Sequence, residues 1–184
     1  MFIISGPSGA GKGTVIQGVL AQRPDMKLSV SATTRPARSM EIEGTHYHFV
    51  SDRDFALMRE RGEFLEWAEV HGNLYGTPRA EVDRQLAGGQ DVILEIDVQG
   101  AVQAKAAVPE ALLIFVEPPS MQILRQRLRD RKTESQETMD RRVSAAHEEL
   151  RRKNLYDGVI VNLDVGQAVQ EMLSLIDQLK ERDG

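Results

Sequence analysis

A glycine-rich segment near the start of the chain has the residue types and spacing that bind phosphate. It reads Gly6-Pro7-Ser8-Gly9-Ala10-Gly11-Lys12-Gly13-Thr14, and it lies between a short apolar run and a helical pattern. Glycines let the backbone curl so that successive N–H groups point at one anion, and the positive end of the following helix adds to the attraction. Lys12 can then reach the outer phosphates of a nucleotide as a mobile positive charge. The segment therefore predicts a phosphate-binding loop.

The residue after the lysine departs from the usual pattern of such loops. Ser or Thr normally stands there and meets magnesium, whereas this chain has Gly13, followed by Thr14. Thr14 is the candidate to bind phosphate, or to bind the metal directly or through water. The alternative for the whole segment is a glycine-rich turn with an incidental lysine.

Two arginines flank a proline in the stretch 31–38, which reads SATTRPAR. The guanidinium groups of Arg35 and Arg38 can clamp one phosphate monoester from both sides, and their forked geometry suits this better than an ammonium does. Taken alone, such a pair belongs to an ordinary surface loop more often than to a site. As a site, it predicts a second anion-binding region.

A carboxylate in a hydrophobic stretch suggests which base would accompany that second phosphate. Glu66 lies within Phe64-Leu65-Glu66-Trp67, and Tyr47, Tyr75 and Thr77 are nearby in sequence. Guanine presents N1–H and the 2-amino group as adjacent donors, which one carboxylate can accept together, whereas adenine offers no such pair. Considered alone, Glu66 is better explained as an exposed carboxylate on a strand.

The elements that must hold these residues alternate between strands and helices. Apolar runs predict strands over 1–5, 91–97, 112–116 and 158–162. Apolar residues at helical spacing predict helices over 12–22, 139–150 and 165–179. Continuous apolar strands without polar alternation are typical of a parallel sheet covered by helices on both faces. The order predicts an α/β fold with a doubly wound parallel sheet.

Residues 31–78 interrupt that alternation. Two stretches, 45–50 and 63–70, alternate polar and apolar residues as half-exposed antiparallel strands do, and Gly72-Asn73 is typical of a turn. They predict a small mixed insertion carried on a core made of 1–30 and 79–184. Residues 130–140, rich in charge, Ser and Thr, predict a second interruption between helices.

Composition excludes several classes of protein. The 184 residues include no cysteine, so disulfides and thiolate metal sites are excluded, and His46 and His48, which would share a strand face, lack a third ligand for zinc. The net charge of −5 argues against a non-specific nucleic-acid binder. No apolar run approaches the ~20 residues of a membrane span, and no signal peptide is recognisable, so we expect a cytoplasmic protein.

Several motifs together resemble one family. The segments GPSGAGKGT, SATTRPAR, GTHYHFV, EFLEWAEVHGNLYGTP, VILEIDVQG, RLRDRKTESQE and VIVN follow one another as they do in the guanylate kinases. The resemblance covers essentially the whole chain. It implies a P-loop NTPase core with a helix-flanked parallel sheet, a GMP-binding insertion over 31–78 and a mobile lid at about 127–142. It also implies transfer of the γ-phosphate of ATP to GMP, and to dGMP, with Mg2+, by a monomer or homodimer.

The resemblance also implies roles for particular residues. On the ATP side it points to the loop 6–14, to Asn162 and to the lid-associated Arg127, Arg131 and Arg142, although Lys132 replaces the glycine usual after Arg131. On the GMP side it points to Ser31, Arg35, Arg38, Tyr47 and Tyr75 for the phosphate, Glu66 and Thr77 for guanine, and Glu95 for orientation. Asp97 would be an acid near magnesium, although a helix cap or a salt bridge explains such an acid equally well. The expected catalytic groups are Lys12, Arg35, Arg38, Arg131 and Arg142.

Two other functions fit parts of the pattern. One is a non-enzymatic guanylate-kinase-like binding module, but the phosphate loop is intact and 184 residues leave no room for a companion domain. The other is a kinase with a different acceptor, such as a sugar bisphosphate or another nucleotide. Glu66, Tyr75 and Thr77 together favour guanine.

Overall fold

A computed structural model of the protein describes residues 1–70, 72–130 and 136–183. Its strands are β1 (Phe2–Ser5), β2 (Met26–Leu28), β3 (Ala32–Thr33), β4 (His48–Phe49), β5 (Phe64–Val70), β6 (Asn73–Pro78), β7 (Asp91–Glu95), β8 (Leu112–Glu117) and β9 (Gly158–Val161). Its helices are α1 (Lys12–Gln22), α2 (Asp52–Glu60), α3 (Arg79–Ala87), α4 (Val98–Ala107), α5 (Met121–Asp130), α6 (Gln136–Arg151) and α7 (Val165–Asp183), with a short 3-10 turn at Lys153–Leu155.

The strands form two sheets. The larger has five strands in the order β2-β7-β1-β8-β9, and the smaller has four in the order β4-β3-β6-β5. Chain contacts divide the protein into two compact units, one of residues 1–3 and 25–111 and the other of residues 4–24 and 112–184. All four strands of the smaller sheet come from residues 31–78. The domain boundaries themselves stay a prediction.

The first unit combines parallel and mixed strand pairing. β2 pairs in parallel with β7, whose Val92, Ile93 and Leu94 are buried. In the smaller sheet, β5 and β6 form an antiparallel pair and β6 continues antiparallel to β3. Phe55 of α2 stacks on Phe64 of β5, with ring centroids 4.5 Å apart, and closes the apolar face of this sheet.

The second unit contains the helix that follows the phosphate loop. β8 and β9 pair in parallel, and the interior of β8 is buried, as expected of a sheet strand between helical layers. α1 packs against α7, where Gly18 leaves room for the side chain of Val169. A separate apolar cluster of Leu124, Leu128, Val143 and Ala146 joins α5 to α6.

Two predicted elements differ from the structure. The antiparallel strand expected over 45–50 is reduced to His48–Phe49, and it pairs in parallel with β3. The reason lies in a turn, because Thr45 and His46 donate their backbone N–H groups to Ile42 O, and His46 Nδ1 accepts from Ile42 N. His46 and His48 therefore do not share a strand face.

The second difference concerns residues 130–140. α6 already begins at Gln136, so residues 136–140 of the predicted interruption are helical, whereas 131–135 lie outside the described residues. Gln, Glu and Arg are good helix formers, and a high charge density by itself does not end a helix. Within the described ranges, no helix is both long and apolar enough to cross a bilayer.

Candidate active site

The phosphate loop connects β1 to α1 and owes its shape to glycine. Gly6, Gly9 and Gly11 have φ of 141°, 89° and 88°, in the region that side chains disfavour. A Cβ on Gly6 would overlap the carbonyl oxygen of Val116, and one on Gly11 would overlap Nδ2 of Asn162. The backbone therefore passes too close to its neighbours for any other residue.

Lys12 is the first residue of α1, so its side chain starts where the helix presents its free N–H groups. Its Nζ donates to the carbonyl oxygens of Gly6, at 2.6 Å, and Pro7, at 3.3 Å. The ammonium is thus folded over the loop. Thr14, one turn into the same helix, is exposed.

Three side chains from distant parts of the sequence hold the loop in place. Arg127 of α5 donates from Nη1 to Ala10 O (3.1 Å) and from Nη2 to Asn162 O (2.9 Å). The buried amide of Asn162 donates to the same Ala10 oxygen at 2.7 Å. Arg142 of α6 donates to Ser8 Oγ at 3.1 Å. Three of the residues expected on the ATP side therefore contact the loop itself, while Arg131 lies outside the described residues.

On the other expected nucleotide side, Arg35 has an extensive set of partners. Nε donates to the hydroxyl of Tyr75 (3.2 Å), and Nη1 and Nη2 donate to the two carboxylate oxygens of Glu41 (3.0 and 2.8 Å). Its guanidinium carbon lies 5.5 Å from the centroid of the Tyr47 ring. These contacts hold the guanidinium in one orientation. Together with the bond from Nη1 to Pro36 O (2.7 Å) they use four of its five N–H groups, so a phosphate bound through two N–H groups would have to displace one of these partners.

Arg38 is less constrained than Arg35. Its side chain is 54% exposed, against 14% for Arg35, and its Nη1 is 3.8 Å from Glu41. Its backbone N–H donates to the same carboxylate at 2.8 Å. Burial alone would raise the pKa of Glu41, but the hydrogen bonds from Arg35 and the Arg38 backbone outweigh it and lower the pKa.

Glu41 is a residue that sequence reasoning missed. An acid three residues after the second arginine, in the pattern Arg-x-x-Arg-x-x-Glu, was the available signal. Tyr47 completes the group, with its ring 5.9 Å from that of Tyr75. Burial, together with the nearby charge of Glu95, raises the pKa of Tyr47 to about 12, so the phenol keeps its proton and can donate.

Glu66 is buried, with 4% of its surface exposed. Its Oε1 accepts from the backbone N–H of Thr77 (3.1 Å) and from the Thr77 hydroxyl (2.6 Å), across the β5–β6 pair. Burial raises the pKa of Glu66 to about 7; the bonds from Thr77 oppose this rise and the charge of Asp97 adds to it. Ser31 Oγ lies 3.5 Å from the Thr77 hydroxyl, so these three polar side chains adjoin.

The two acids after β7 have different surroundings. Glu95 is the last residue of the strand and is exposed. Asp97 is the N-cap of α4, because its Oδ1 accepts from Gly100 N at 2.9 Å, and its Oδ2 accepts from the side chain of Gln99. The helix-cap explanation of Asp97 is therefore confirmed, and it does not conflict with a further role.

Each region thus has its own chemistry. The loop supplies backbone donors and an ammonium group suited to a polyphosphate. The first unit combines fixed arginine and tyrosine donors with a buried carboxylate that can accept from a base. Such a combination suits a nucleoside monophosphate, whose two ends need opposite partners.

Comparison with known proteins decides the family. The profile of the guanylate kinases matches residues 1–179. The chain is 48% identical over 182 residues to the guanylate kinase of Symbiobacterium thermophilum, covering 99% of this chain and 86% of that protein. This chain belongs to the guanylate kinase family. The guanylate kinase of Desulfitobacterium hafniense is likewise 48% identical, with 96% of this chain and 88% of the relative covered.

Solved structures agree. The guanylate kinase of Anaplasma phagocytophilum superposes with a TM-score of 0.80 at 33% identity, covering 97% of this chain and 84% of that one. A sugar kinase from Janibacter sp. superposes with a TM-score of 0.51 at 14% identity, a likeness of fold alone. The predicted α/β P-loop fold is confirmed, and so is the prediction that this member of the guanylate kinase family is a kinase.

Proposed function

We propose that this chain transfers the γ-phosphate of ATP to GMP, giving ADP and GDP, and so recycles purine nucleotides. dGMP, which carries the same base and the same phosphate, is expected to serve as well. The observation that carries the proposal is the buried carboxylate of Glu66, bound on one oxygen by Thr77. Its second oxygen leaves acceptor capacity for the N1–H and 2-amino donors of guanine.

The donor nucleotide would bind at the phosphate loop. Backbone N–H groups of residues 6–14 would cradle the phosphates, and Lys12 would leave its contacts with Gly6 and Pro7 to neutralise the transferring group. Arg127 and Asn162 support this by fixing Ala10 of the loop. Arg142, beside Ser8, and Arg131 would add positive charge around the ATP phosphates.

The acceptor would be held at both ends. Arg35, Arg38, Tyr47 and Tyr75, with Ser31, would bind the GMP phosphate, while Glu66 and Thr77 would read guanine and Glu95 would help to orient the nucleotide. Adenine would leave the ionised Glu66 facing the acceptor N1, an unmatched buried charge, and would therefore be rejected.

Phosphoryl transfer requires little covalent chemistry from the protein. In-line transfer needs the GMP oxygen aligned with the γ-phosphorus and positive charge on the transferring group. The attacking oxygen belongs to a phosphate that is anionic at neutral pH, so no general base is required. Closure of the insertion over 31–78 and of the lid at about 127–142 would exclude water as a competing acceptor.

Magnesium would arrive with ATP and would neutralise charge between its outer phosphates. The exposed hydroxyl of Thr14, in the first turn of α1, is a suitable hard oxygen ligand. Both oxygens of Asp97 already accept hydrogen bonds, which favours a contact through water over direct ligation. No cluster of three or more acidic or histidine side chains that could hold an ion exists within the described ranges, consistent with a metal held mainly by the nucleotide.

Three expectations about the setting of the enzyme belong to this proposal. The first is the division into a core of 1–30 and 79–184 and an insertion of 31–78. The second is a cytoplasmic location, and the third is a monomeric or homodimeric state. Light scattering of the purified chain would test the last.

A coupled assay of ADP formation tests the proposed acceptor. GMP and dGMP should support turnover, whereas AMP, UMP and CMP should be used at least about a hundred-fold less efficiently, because a site built to bind specific donors strongly rejects bases that lack them. Comparable turnover with AMP or a pyrimidine nucleotide would contradict the assignment of Glu66. Binding of ATP without turnover of any nucleotide would favour a binding module.

A further inference from the structure

Gly100, the third residue of α4, is a glycine whose backbone does not require one. Its φ is not among the positive values found in the chain, and the cap that it receives from Asp97 uses only its backbone N–H, which any residue but proline supplies. Glycine in a helix is generally less favourable than alanine. The reason for glycine here must therefore lie in the space around its Cα.

That space is occupied by the proposed guanine reader. A Cβ on Gly100 would overlap Oε2 of Glu66 and would lie 3.0 Å from its carboxylate carbon and 3.3 Å from Oδ1 of Asp97. Oε2 is the oxygen that Thr77 does not bind. The carboxylate oxygen that is left to accept from a base thus occupies the space that a Cβ at position 100 would otherwise fill.

Glu66 has little freedom to move away from such an atom. Its other oxygen is held by two bonds from Thr77, and the side chain is buried. The neighbouring residue of β5, Trp67, is tied to the same helix, because the side-chain amide of Gln103 donates to Trp67 O at 2.8 Å and accepts from Trp67 N at 3.4 Å. α4 is therefore hydrogen-bonded to the strand beside Glu66, and the lack of a side chain at Gly100 leaves space for the carboxylate.

We propose that Gly100 is a positioning residue that sets the selectivity for guanine, because its missing side chain provides the seat of the Glu66 carboxylate. The inference rests on the proposed role of Glu66. Any side chain at position 100 turns the carboxylate away from the orientation in which one group accepts from both N1–H and the 2-amino group. GMP then loses its advantage over IMP, whose base keeps N1–H and lacks the 2-amino group.

The test compares kcat/KM for GMP and IMP in the parent and in Gly100→Ala. The GMP-to-IMP ratio should fall about tenfold or more, the value of one hydrogen bond to a charged group, mainly through a higher KM for GMP, while the KM for ATP stays within about twofold. A folded Gly100→Ala protein with the parental ratio overturns the proposal.

Gly18→Ala is the matched control. A Cβ there would lie 2.5 Å from Cγ2 of Val169, so it crowds a helix contact without touching a carboxylate. Its thermal stability should fall, and its GMP-to-IMP ratio should equal that of the parent. A loss of ratio in Gly18→Ala equal to that in Gly100→Ala would mean that crowding alone explains the effect, and it would overturn the proposal.

Glu66→Ala and the double variant Glu66→Ala/Gly100→Ala separate this inference from the proposed function. If Glu66→Ala keeps the parental ratio, the proposed role of Glu66 fails. If it loses the ratio but Gly100→Ala does not, only the inference about Gly100 fails. In the Glu66→Ala background the seat is empty, so adding Gly100→Ala should change neither folding nor the ratio further. A double variant that does not fold overturns the proposal, because the clash would then lie elsewhere.

Discussion

The proposed phosphate loop and the proposed guanine-reading group around Glu66 would bind their ligands by opposite means. The loop relies on backbone N–H groups and glycines in nine consecutive residues, 6–14. The group around Glu66 would rely on residues from separate elements, with Thr77 on β6 donating to the carboxylate and Gly100 on α4 leaving space for it. Backbone recognition depends on chain shape and so is local. Side-chain recognition of a base depends on which residues the fold brings together.

Charge is also handled differently in the two regions. Lys12 rests on neutral carbonyl oxygens, which an arriving phosphate can replace without breaking an ion pair. Arg35 is already paired with Glu41, and Glu66 is buried among dipoles and close enough to the charge of Asp97 to feel it. The loop can therefore receive an anion without the loss of an ion pair, whereas the acceptor side is sensitive to the protonation of Glu66 and to small changes of geometry.

The strongest test of this contrast is Lys12→Ala. Loss of the positive charge of Lys12 should lower kcat by roughly a thousand-fold or more, with the fold intact, because charge on the transferring group is the main source of catalysis in phosphoryl transfer. Lys27→Ala, on an exposed position of β2, is the control and should retain parental turnover. Steady-state kinetics and circular dichroism measure both. A loss below tenfold would remove Lys12 from the mechanism.

A smaller effect should distinguish the two arginines. Arg35→Lys removes a fixed fork and should raise the KM for GMP about ten- to a hundred-fold, since a point charge cannot replace two parallel hydrogen bonds. Arg38→Lys should cost only a few-fold, because Arg38 is more exposed and its guanidinium lies 3.8 Å from Glu41. Equal effects on the KM for GMP at saturating ATP would show that burial and pairing with Glu41 do not decide which arginine contributes more to GMP binding.

A third test is the pH dependence of the reaction with GMP, where the expected effect lies below that of Arg35→Lys at its upper bound. Because the pKa of Glu66 is about 7 in the free protein, the group is mostly protonated at pH 6 and mostly ionised at pH 8. Only the ionised form accepts both guanine donors, so kcat/KM for GMP should rise about tenfold over that interval. GMP itself titrates in this range with every variant, so the part of the rise that belongs to Glu66 is the part that Glu66→Gln should remove. A step of the same size in Glu66→Gln would contradict the assignment.

The same raised pKa predicts the direction of a stability change. The folded protein holds the proton of Glu66 more tightly than the unfolded chain, so this group favours folding below its ordinary pKa of 4.5 and loses that contribution as the pH rises through about 7. In thermal unfolding, the melting temperature of Glu66→Gln should therefore rise relative to that of the parent between pH 5 and pH 8.

Local sequence patterns correctly predicted many of the helices and strands. Helix α1 begins and ends where the pattern after the loop predicted, and the apolar runs at 112–116 and 158–162 are parallel strands of the larger sheet. The predicted bounds were wrong where local hydrogen bonds or helix propensity outweighed the hydrophobic pattern of the sequence. The turn around Ile42 shortened the strand expected over 45–50, and good helix formers extended α6 back to Gln136.

For the site, the sequence by itself determined the residue types: a loop that binds phosphate, a pair of arginines and a carboxylate suited to guanine. The tertiary structure decided what each of them touches. Three contacts join residues that sequence patterns do not connect, or that sequence reasoning left unpaired. They are the pairing of Arg35 with Glu41, the bonds from Arg127 and Asn162 to Ala10, and the position of the Glu66 carboxylate against Gly100. The physical reason is burial, since the energy of a charged group depends on its surroundings, and folding alone sets those surroundings.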